Sequence, residues 1–555
     1  VLGIEAFLDI LAAGGVRYIF GNPGSTELPL NEALAQDDRF QYIFGLQEVP
    51  VTAMADGYAM ASGELGVVCV HISCGLGNAM GMVYNAYSAG TPLLIWAGQQ
   101  DRRLLLGEPV LAGDTVAVAR PWTKWAYEVQ RAEEIPTAVR RAVQAAMTPP
   151  TGPVFLSLPV DVQLERVDGL DLGPPNVPDR RVRPPAEALE RAAGILAQAR
   201  NPAILAGSRV TEAGATAELT ALADVLGAPV LAESTTSHGR LPMASDHPLF
   251  AGNLPLWSPD VRQRLADFDV ILAVGLNLLR LYIYHEPARP IPDGARLIHL
   301  DPNPGQIGKN YPVEVGLVGD PKAGLGELAG RLGEIMPAER VEAAAGRRAT
   351  YAARRAAERE TLLTGIEAAW ERRPMTSLAL MGALARALPP GAALVEEAVT
   401  THGYVLERLG LFKDPRTRFA HRGWALGWGL GSAIGVRLAW PECPVLALLG
   451  DGAALYGVQG LWTAAHHHTP VVFVIANNAQ YKILKDSGAV MGLPQIGLGN
   501  HLAMDLVDPE VDFVNLARSF GVAAQRVSDP DELTARVRDG LEGNEPLLLD
   551  VPIER

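Results

Sequence analysis

The chain has 555 residues, with 47 lysines and arginines against 62 acidic residues and a formal net charge of −15. This acidity offers no basic face and argues against nucleic acid as a main partner. Hydrophobic residues make up 48% and charged residues 20%, which excludes a disordered chain and leaves material for three or four cores at about 150 residues each. The three cysteines, Cys69, Cys74 and Cys443, are too few for a disulfide scaffold and suit a reducing, cytoplasmic setting. No apolar run approaches the ~18 residues of a membrane span. The opening Val1-Leu2-Gly3 lacks a basic stretch, so no signal peptide is expected, and the absence of Met points to a trimmed start.

In chain order, apolar runs at 18–21, 42–45, 66–72, 92–97 and 154–158 predict buried strands, with helix-length segments at 48–62 and 77–89 between them. The stretch 167–185, rich in Gly and Pro and including Pro178, reads as a linker. A middle block follows, with strands predicted at 202–206, 270–274 and 296–300. The Glu-, Arg- and Ala-rich stretch 337–374 predicts a solvated connecting helix. The last block repeats the alternation, with strands at 393–396, 445–449, 471–476 and 547–551. Alternating strands and helices predict an α/β chain of three doubly wound parallel-sheet domains, at 1–170, 186–335 and 375–555. Such sheets carry ligands at the carboxyl ends of their strands.

Several residues sit at those ends. Gly21-Asn22-Pro23-Gly24-Ser25 follows the first strand; by itself, Ser25 is a turn residue. Glu48 opens a helix, where the dipole favours an acid whatever its role. His71 is expected to close a strand before a glycine turn; facing the ligand end, it can move a proton near neutral pH. In the middle block, the loop Arg280-Leu281-Tyr282-Ile283-Tyr284-His285 follows a strand. The most informative stretch is Leu449-Gly450-Asp451-Gly452, with Asn477-Asn478-Ala479-Gln480-Tyr481 one helix and one strand later. Glycines let backbone approach a phosphate closely. Mg²⁺ takes few protein ligands and keeps substrate phosphates in its shell. Asp451, Asn478 and the main-chain oxygen of Gln480 therefore suit a magnesium diphosphate.

This pair of motifs resembles the signature of thiamine-diphosphate-dependent enzymes. The resemblance implies that Asp451, Asn478 and the Gln480 carbonyl bind Mg²⁺, with Gly450, Gly452, Ala453 and Tyr481 along the cofactor. Ala453 departs from the serine often found there; its N–H remains, so only a hydroxyl contact is expected to be lost. The resemblance further implies that Glu48 activates the cofactor's pyrimidine ring, a task suited to a desolvated carboxyl. In Gly423-Trp424-Ala425-Leu426-Gly427, Leu426 would wedge between the cofactor rings and the Trp424 carbonyl would accept from the aminopyrimidine.

Within that family, Ser25, Glu48, His71 ahead of Asn78-Ala79-Met80, and Gly98-Gln99-Gln100 resemble the benzoylformate decarboxylase branch. By implication Ser25 binds the substrate carboxylate, His71 relays protons, and His285, or Tyr282 or Tyr284 in its place, supplies a second proton-transfer group. The implied activity is non-oxidative decarboxylation of a small 2-oxo acid to an aldehyde, with carboligation on the side. The implied assembly is a homodimer or homotetramer whose active sites are shared between chains.

The rival readings are an acetohydroxyacid synthase, against which His71 argues, an acyl-CoA lyase or decarboxylase, and an idle regulatory subunit. A chain ending at Arg555 is expected to lack a tail to cover a long thioester. Intact Glu48, Asp451 and Asn478 argue against the idle subunit. Lys485, Asp486 and Ser487 predict a far pocket wall more polar than a phenyl ring needs. Cys74 reads as a small buried residue. His466-His467-His468 reads as a solvated or interface face, because consecutive helix residues point about 100° apart and cannot converge on one ion.

Overall fold

The computed structural model describes residues 1–177, 179, 181–233, 239–287 and 289–555; Pro178 of the predicted linker lies outside the described residues. The chain forms three six-stranded parallel sheets and two compact units, one made of Val1–Asp179, Ala393–Thr401 and Gly423–Arg555, the other of Arg180–Ala392 and His402–Arg422.

In the first unit one sheet runs in the order Gln41–Phe44, Tyr18–Gly21, Gly66–Val70, Leu93–Gln99, Val154–Pro159, Ala126–Glu128. The strands are parallel, and the order in which they are laid down reverses between Tyr18–Gly21 and Gly66–Val70, so the crevice beyond their carboxyl ends is where a ligand is bound in such sheets. The central strand Gly66–Val70 is buried throughout, as a strand covered on both faces must be. The other sheet places Ala393–Glu397, Val445–Gly450, Val472–Asn477, Leu547–Pro552 and Ala523–Arg526 side by side in that order. Helix Glu48–Ser62 packs on helix Trp428–Ala439, where Ser432 Oγ donates to the Ala53 carbonyl at 2.9 Å and Trp428 Nε1 donates to Asp56 Oδ2 at 2.7 Å. Asp56 is wholly buried, and burial pushes its carboxyl up to about 6.

The second unit holds the sheet Val315–Val318, Arg296–Asp301, Val270–Val274, Pro202–Ala206, Val230–Ala232, Phe250–Asn253. This is the doubly wound order of dinucleotide-binding folds, with its crevice between Pro202–Ala206 and Val270–Val274. Beside these strand ends Arg209 pairs with Asp301 at 2.8 Å and buried Arg422 pairs with Glu233 at 2.8 Å. The predicted connecting helix runs over Ala338–Ala369.

Two local expectations change. Strand Gly66–Val70 stops before His71, and there is no glycine turn: helix Ile72–Ala89 begins at once, with His71 as its N-cap, and continues through Gly75 and Gly77. Glycine here serves packing rather than chain reversal. Cys74, on the first turn of that helix, is exposed rather than buried.

Candidate active site

Glu48 is the first residue of helix Glu48–Ser62 and only 4% exposed. Its two carboxylate oxygens accept from Asn22 Nδ2 and Asn78 Nδ2, each at 3.2 Å. Asn22 follows strand Tyr18–Gly21 and Asn78 lies on helix Ile72–Ala89, so three segments fix one acid. A side chain at Gly75 would press on both the Glu48 carboxylate and the His71 Cβ; glycine there is what lets acid and imidazole share this corner.

His71 is oriented by a residue that the sequence motifs did not reveal. Its Nδ1 lies 2.7 Å from Glu27 Oε2. Glu27 is fully buried, and its other oxygen accepts from Thr26 Oγ1 at 2.8 Å, Ile72 N at 3.2 Å and Gly98 N at 2.7 Å. A carboxylate held by that many donors fixes the ring by accepting the Nδ1–H hydrogen bond, which leaves Nε2 as the exchangeable site. Gly24 lies against the same imidazole, where any side chain would overlap the ring. Ser25, the next residue, opens the short turn Ser25–Glu27 and is exposed. Ser25, Glu48 and His71 thus belong to one crevice edge. Gln99 is buried and donates to the Gly113 carbonyl at 2.9 Å.

In the second sheet of the same unit, Gly450 and Ala476 are paired in register, so Asp451 and the Asn477–Gln480 turn emerge together. Asp451 Oδ1 accepts from Gly452 N at 2.8 Å. Its Oδ2 is buried without a partner, and burial pushes the carboxyl up to about 6, offset in part by the amides of Gly452, Ala479 and Gln480. An uncompensated buried carboxylate oxygen is costly, and a hard divalent cation would compensate it. The donor set therefore fits Mg²⁺. The two asparagines divide their work: Asn477 Nδ2 donates to Asp550 at 2.9 Å, whereas Asn478 Oδ1 accepts from Gln480 N at 3.1 Å. Ala479 takes a left-handed φ of 51°. The Tyr481 ring lies where a side chain on Gly452 would stand, so backbone is left open beside Gly450, Gly452 and Ala453.

The stretch Gly423–Gly427 is held from two sides. Asn85 donates to the Ala425 carbonyl at 2.8 Å and accepts from its N–H at 3.0 Å. Glu397 accepts from the amides of Gly427, Trp428 and Gly429 at 3.1, 3.1 and 2.8 Å; burial pushes this carboxyl up to about 8, and those three bonds oppose the rise. Trp424 has a left-handed φ of 66°, a conformation held by its surroundings rather than by preference. Leu426 is half-buried. Asn85 and Glu397 went unread in the sequence; the only signal was a pair of acids, Glu396-Glu397, closing an apolar strand.

His285 belongs to the second unit. Its ring meets Trp257 edge-on with centroids 4.9 Å apart, and its Nε2 is buried without a partner. Tyr282 also approaches Trp257, while Tyr284 is 70% exposed with its hydroxyl on Glu286.

The charges expected on the far wall are paired. Lys482 pairs with Asp486 at 2.7 Å, Lys485 donates to Gln480 Oε1 at 2.6 Å and Asp505 at 2.7 Å, and Ser487 is buried. Lys482 and Asp486 thus offset each other within the segment, and Lys485 is offset by Asp505 from a separate segment. In the histidine tract His466 and His468 are exposed, the first stacked on Trp462 and the second beside Glu545, while half-buried His467 accepts the Phe44 N–H at 2.9 Å. Among the described residues no cluster of three His, Cys, Asp or Glu side chains converges on a metal site, and no helix is long and apolar enough to cross a membrane.

Comparison with known proteins agrees along the whole chain. Three family models match: the N-terminal TPP binding domain of thiamine pyrophosphate enzymes over residues 2–117, the central domain over 189–328 and the C-terminal TPP binding domain over 398–551. A benzoylformate decarboxylase of Pseudomonas aeruginosa is 33% identical over 560 residues, covering 99% of this chain and 98% of that one. A probable acetolactate synthase large subunit of Methanocaldococcus jannaschii is 29% identical, covering 100% and 92%. The crystal structure of benzoylformate decarboxylase from Polynucleobacter necessarius superposes with a TM-score of 0.88 at 29% identity, covering 100% and 98%.

Proposed function

The chain belongs to the thiamine-diphosphate-dependent enzymes, and from that premise we propose that it decarboxylates a benzoylformate-like 2-oxo acid to an aldehyde without oxidation. The observation that carries the proposal is the buried Glu27–His71 pair at 2.7 Å beside a Glu48 held by two asparagine amides: one acid for activation and one oriented imidazole for proton transfer.

When bound, thiamine diphosphate supplies the nucleophilic carbon and the electron sink that loss of CO₂ from a 2-oxo acid requires. Asp451, Asn478 and the Gln480 carbonyl would hold Mg²⁺, and the backbone of Gly450, Gly452 and Ala453 and the Tyr481 ring would line the diphosphate end. The Trp424 carbonyl and the Leu426 side chain hold the pyrimidine end, and Glu48 exchanges a proton there. Ser25 donates to the substrate carboxylate. His71, oriented through Nδ1 by Glu27, delivers and recovers a proton at Nε2. His285 is the second proton-transfer group, with Tyr282 as its alternative; the exposed, Glu286-bound Tyr284 is set aside. Interception of the reaction by an aldehyde makes 2-hydroxy ketones a side product. The active form is a homodimer or homotetramer with sites shared between chains, and the low count of three cysteines supports a cytoplasmic setting.

The synthase reading keeps one specific support, the full-length similarity to an acetolactate synthase subunit. Against it stands the Glu27–His71 pair. Benzoylformate, pyruvate and a branched 2-oxo acid, each supplied with thiamine diphosphate and Mg²⁺, separate the readings. The proposal expects fastest CO₂ release from benzoylformate with benzaldehyde as product. Turnover of pyruvate alone, giving a condensed 2-hydroxy-3-oxo acid, would replace it with the synthase.

A further inference from the structure

The turn that carries the cation ligands is braced by a lysine that no part of the motif requires. Strand Val472–Asn477 ends in two side-chain-to-backbone bonds, Ala479 N to Asn477 Oδ1 and Gln480 N to Asn478 Oδ1, both at 3.1 Å. The turn is then stitched to a distant segment by Tyr481 N to the Met504 carbonyl and Leu506 N to the Ala479 carbonyl, both at 2.8 Å, which makes Gln480 and Asp505 an antiparallel bridge. None of these bonds uses the Gln480 carbonyl. Lys485, on helix Lys482–Val490, reaches back over this bridge. Its ammonium group donates to Gln480 Oε1 at 2.6 Å and to Asp505 Oδ1 at 2.7 Å. The Lys485 side chain is 15% exposed, and its bond is the leading cause of a lowered Asp505 carboxyl.

We propose that Lys485 is a positioning residue for the cation site: it locks the Gln480 side chain to Asp505 and thereby fixes the peptide whose carbonyl faces the ion. The inference rests on the assignment of Asp451, Asn478 and Gln480 as the Mg²⁺ site. Charge explains why the clamp has two acceptors. An ammonium group beside a divalent cation site repels the ion unless a carboxylate offsets it, and Asp505 is that carboxylate. Gln480 supplies direction and Asp505 supplies neutrality.

The test is a Mg²⁺ titration at saturating thiamine diphosphate, read by intrinsic fluorescence, with Mn²⁺ binding by electron paramagnetic resonance as a direct count of bound ion. Outer partners of metal ligands typically change affinity 10–100-fold, so Lys485→Met is expected to weaken Mg²⁺ about 10-fold and Lys485→Arg to recover most of it. Asp505→Asn is expected to weaken it as well, because the ammonium is left uncompensated, and adding Lys485→Met to Asp505→Asn should make binding no worse than Lys485→Met alone. Wild-type affinity in Lys485→Met beside lost binding in Asp451→Ala overturns the positioning role and spares the site. Wild-type affinity in both variants overturns the site itself. Should Lys485→Met fail to fold, Asp505→Asn decides: wild-type affinity there overturns the proposal, and weakened affinity with unchanged melting supports it.

Discussion

The two sheets of the first unit differ in how they treat the acids proposed for the site. At the edge of the N-terminal sheet every acid is answered: Glu48 by two amides, Glu27 by a histidine, a hydroxyl and two backbone amides. At the edge of the C-terminal sheet Asp451 keeps one buried oxygen without a partner and a carboxyl pushed up to about 6. A fully answered acid holds a group in place and passes protons along a fixed direction; an unanswered one is completed by an ion. On the proposed function, the same fold makes a proton-handling edge and a cation-holding edge by filling or leaving open the hydrogen-bond shell of one residue.

The strongest challenge to this contrast is Asp451→Ala. It should abolish Mg²⁺-dependent retention of thiamine diphosphate on gel filtration while leaving apo-protein folded; retention at the wild-type level would move the ion elsewhere. On the other edge, His71→Ala should lower the decarboxylation rate at least ~10²-fold, the usual lower value of positioned acid–base help, and a wild-type rate would reduce His71 to a packing residue. Glu27→Gln sharpens the point. It keeps the shape but weakens the grip on Nδ1, so kcat should fall about 10-fold with KM nearly unchanged, within the 10–100-fold range of outer partners; a rise in KM with unchanged kcat would make Glu27 a substrate-binding group instead.

Asp56 gives the smallest effect and one that reads pH. Its folded-state carboxyl lies at about 6 because burial disfavours the charge, above the unfolded value. The folded protein therefore loses stability as pH rises from about 4 through 6, and the cost stays constant above that. Asp56→Asn preserves an acceptor for Trp428 and removes the charge. It should raise the melting temperature at pH 7.5, by an amount corresponding to at most about 3 kcal/mol, with the gain vanishing near pH 4. A gain independent of pH would assign it to packing.

Much of the proposed cation-holding edge is legible in the sequence, because its candidate ligands follow strand ends within two short motifs and local turn chemistry places them. The proton-handling edge was legible only in its named residues. Glu27 sits in Ser25-Thr26-Glu27-Leu28 and looks like an ordinary acid at a helix start; its partner His71 lies 44 residues on, and no periodicity links them. Asn85 and Ala425 are 340 residues apart, a contact that only the packed helices create. The misread glycine turn at Gly75–Gly77 has the same origin. Local propensity marks glycine as a breaker, whereas tertiary packing uses Gly75 to admit Glu48. Lys485, Asp486 and Ser487 suggested a polar pocket wall; composition counts charges without showing their partners, here Asp505 for Lys485 and Lys482 for Asp486.

The measurement that tests the division of labour most directly is thiamine diphosphate binding and turnover in one variant, Glu48→Gln, with calorimetry and CO₂ release run on the same preparation. The account predicts Mg²⁺-dependent binding close to wild type and no measurable turnover, since the cation-holding edge is untouched and the activating acid is gone. Retained turnover, or lost binding in a folded protein, would contradict it.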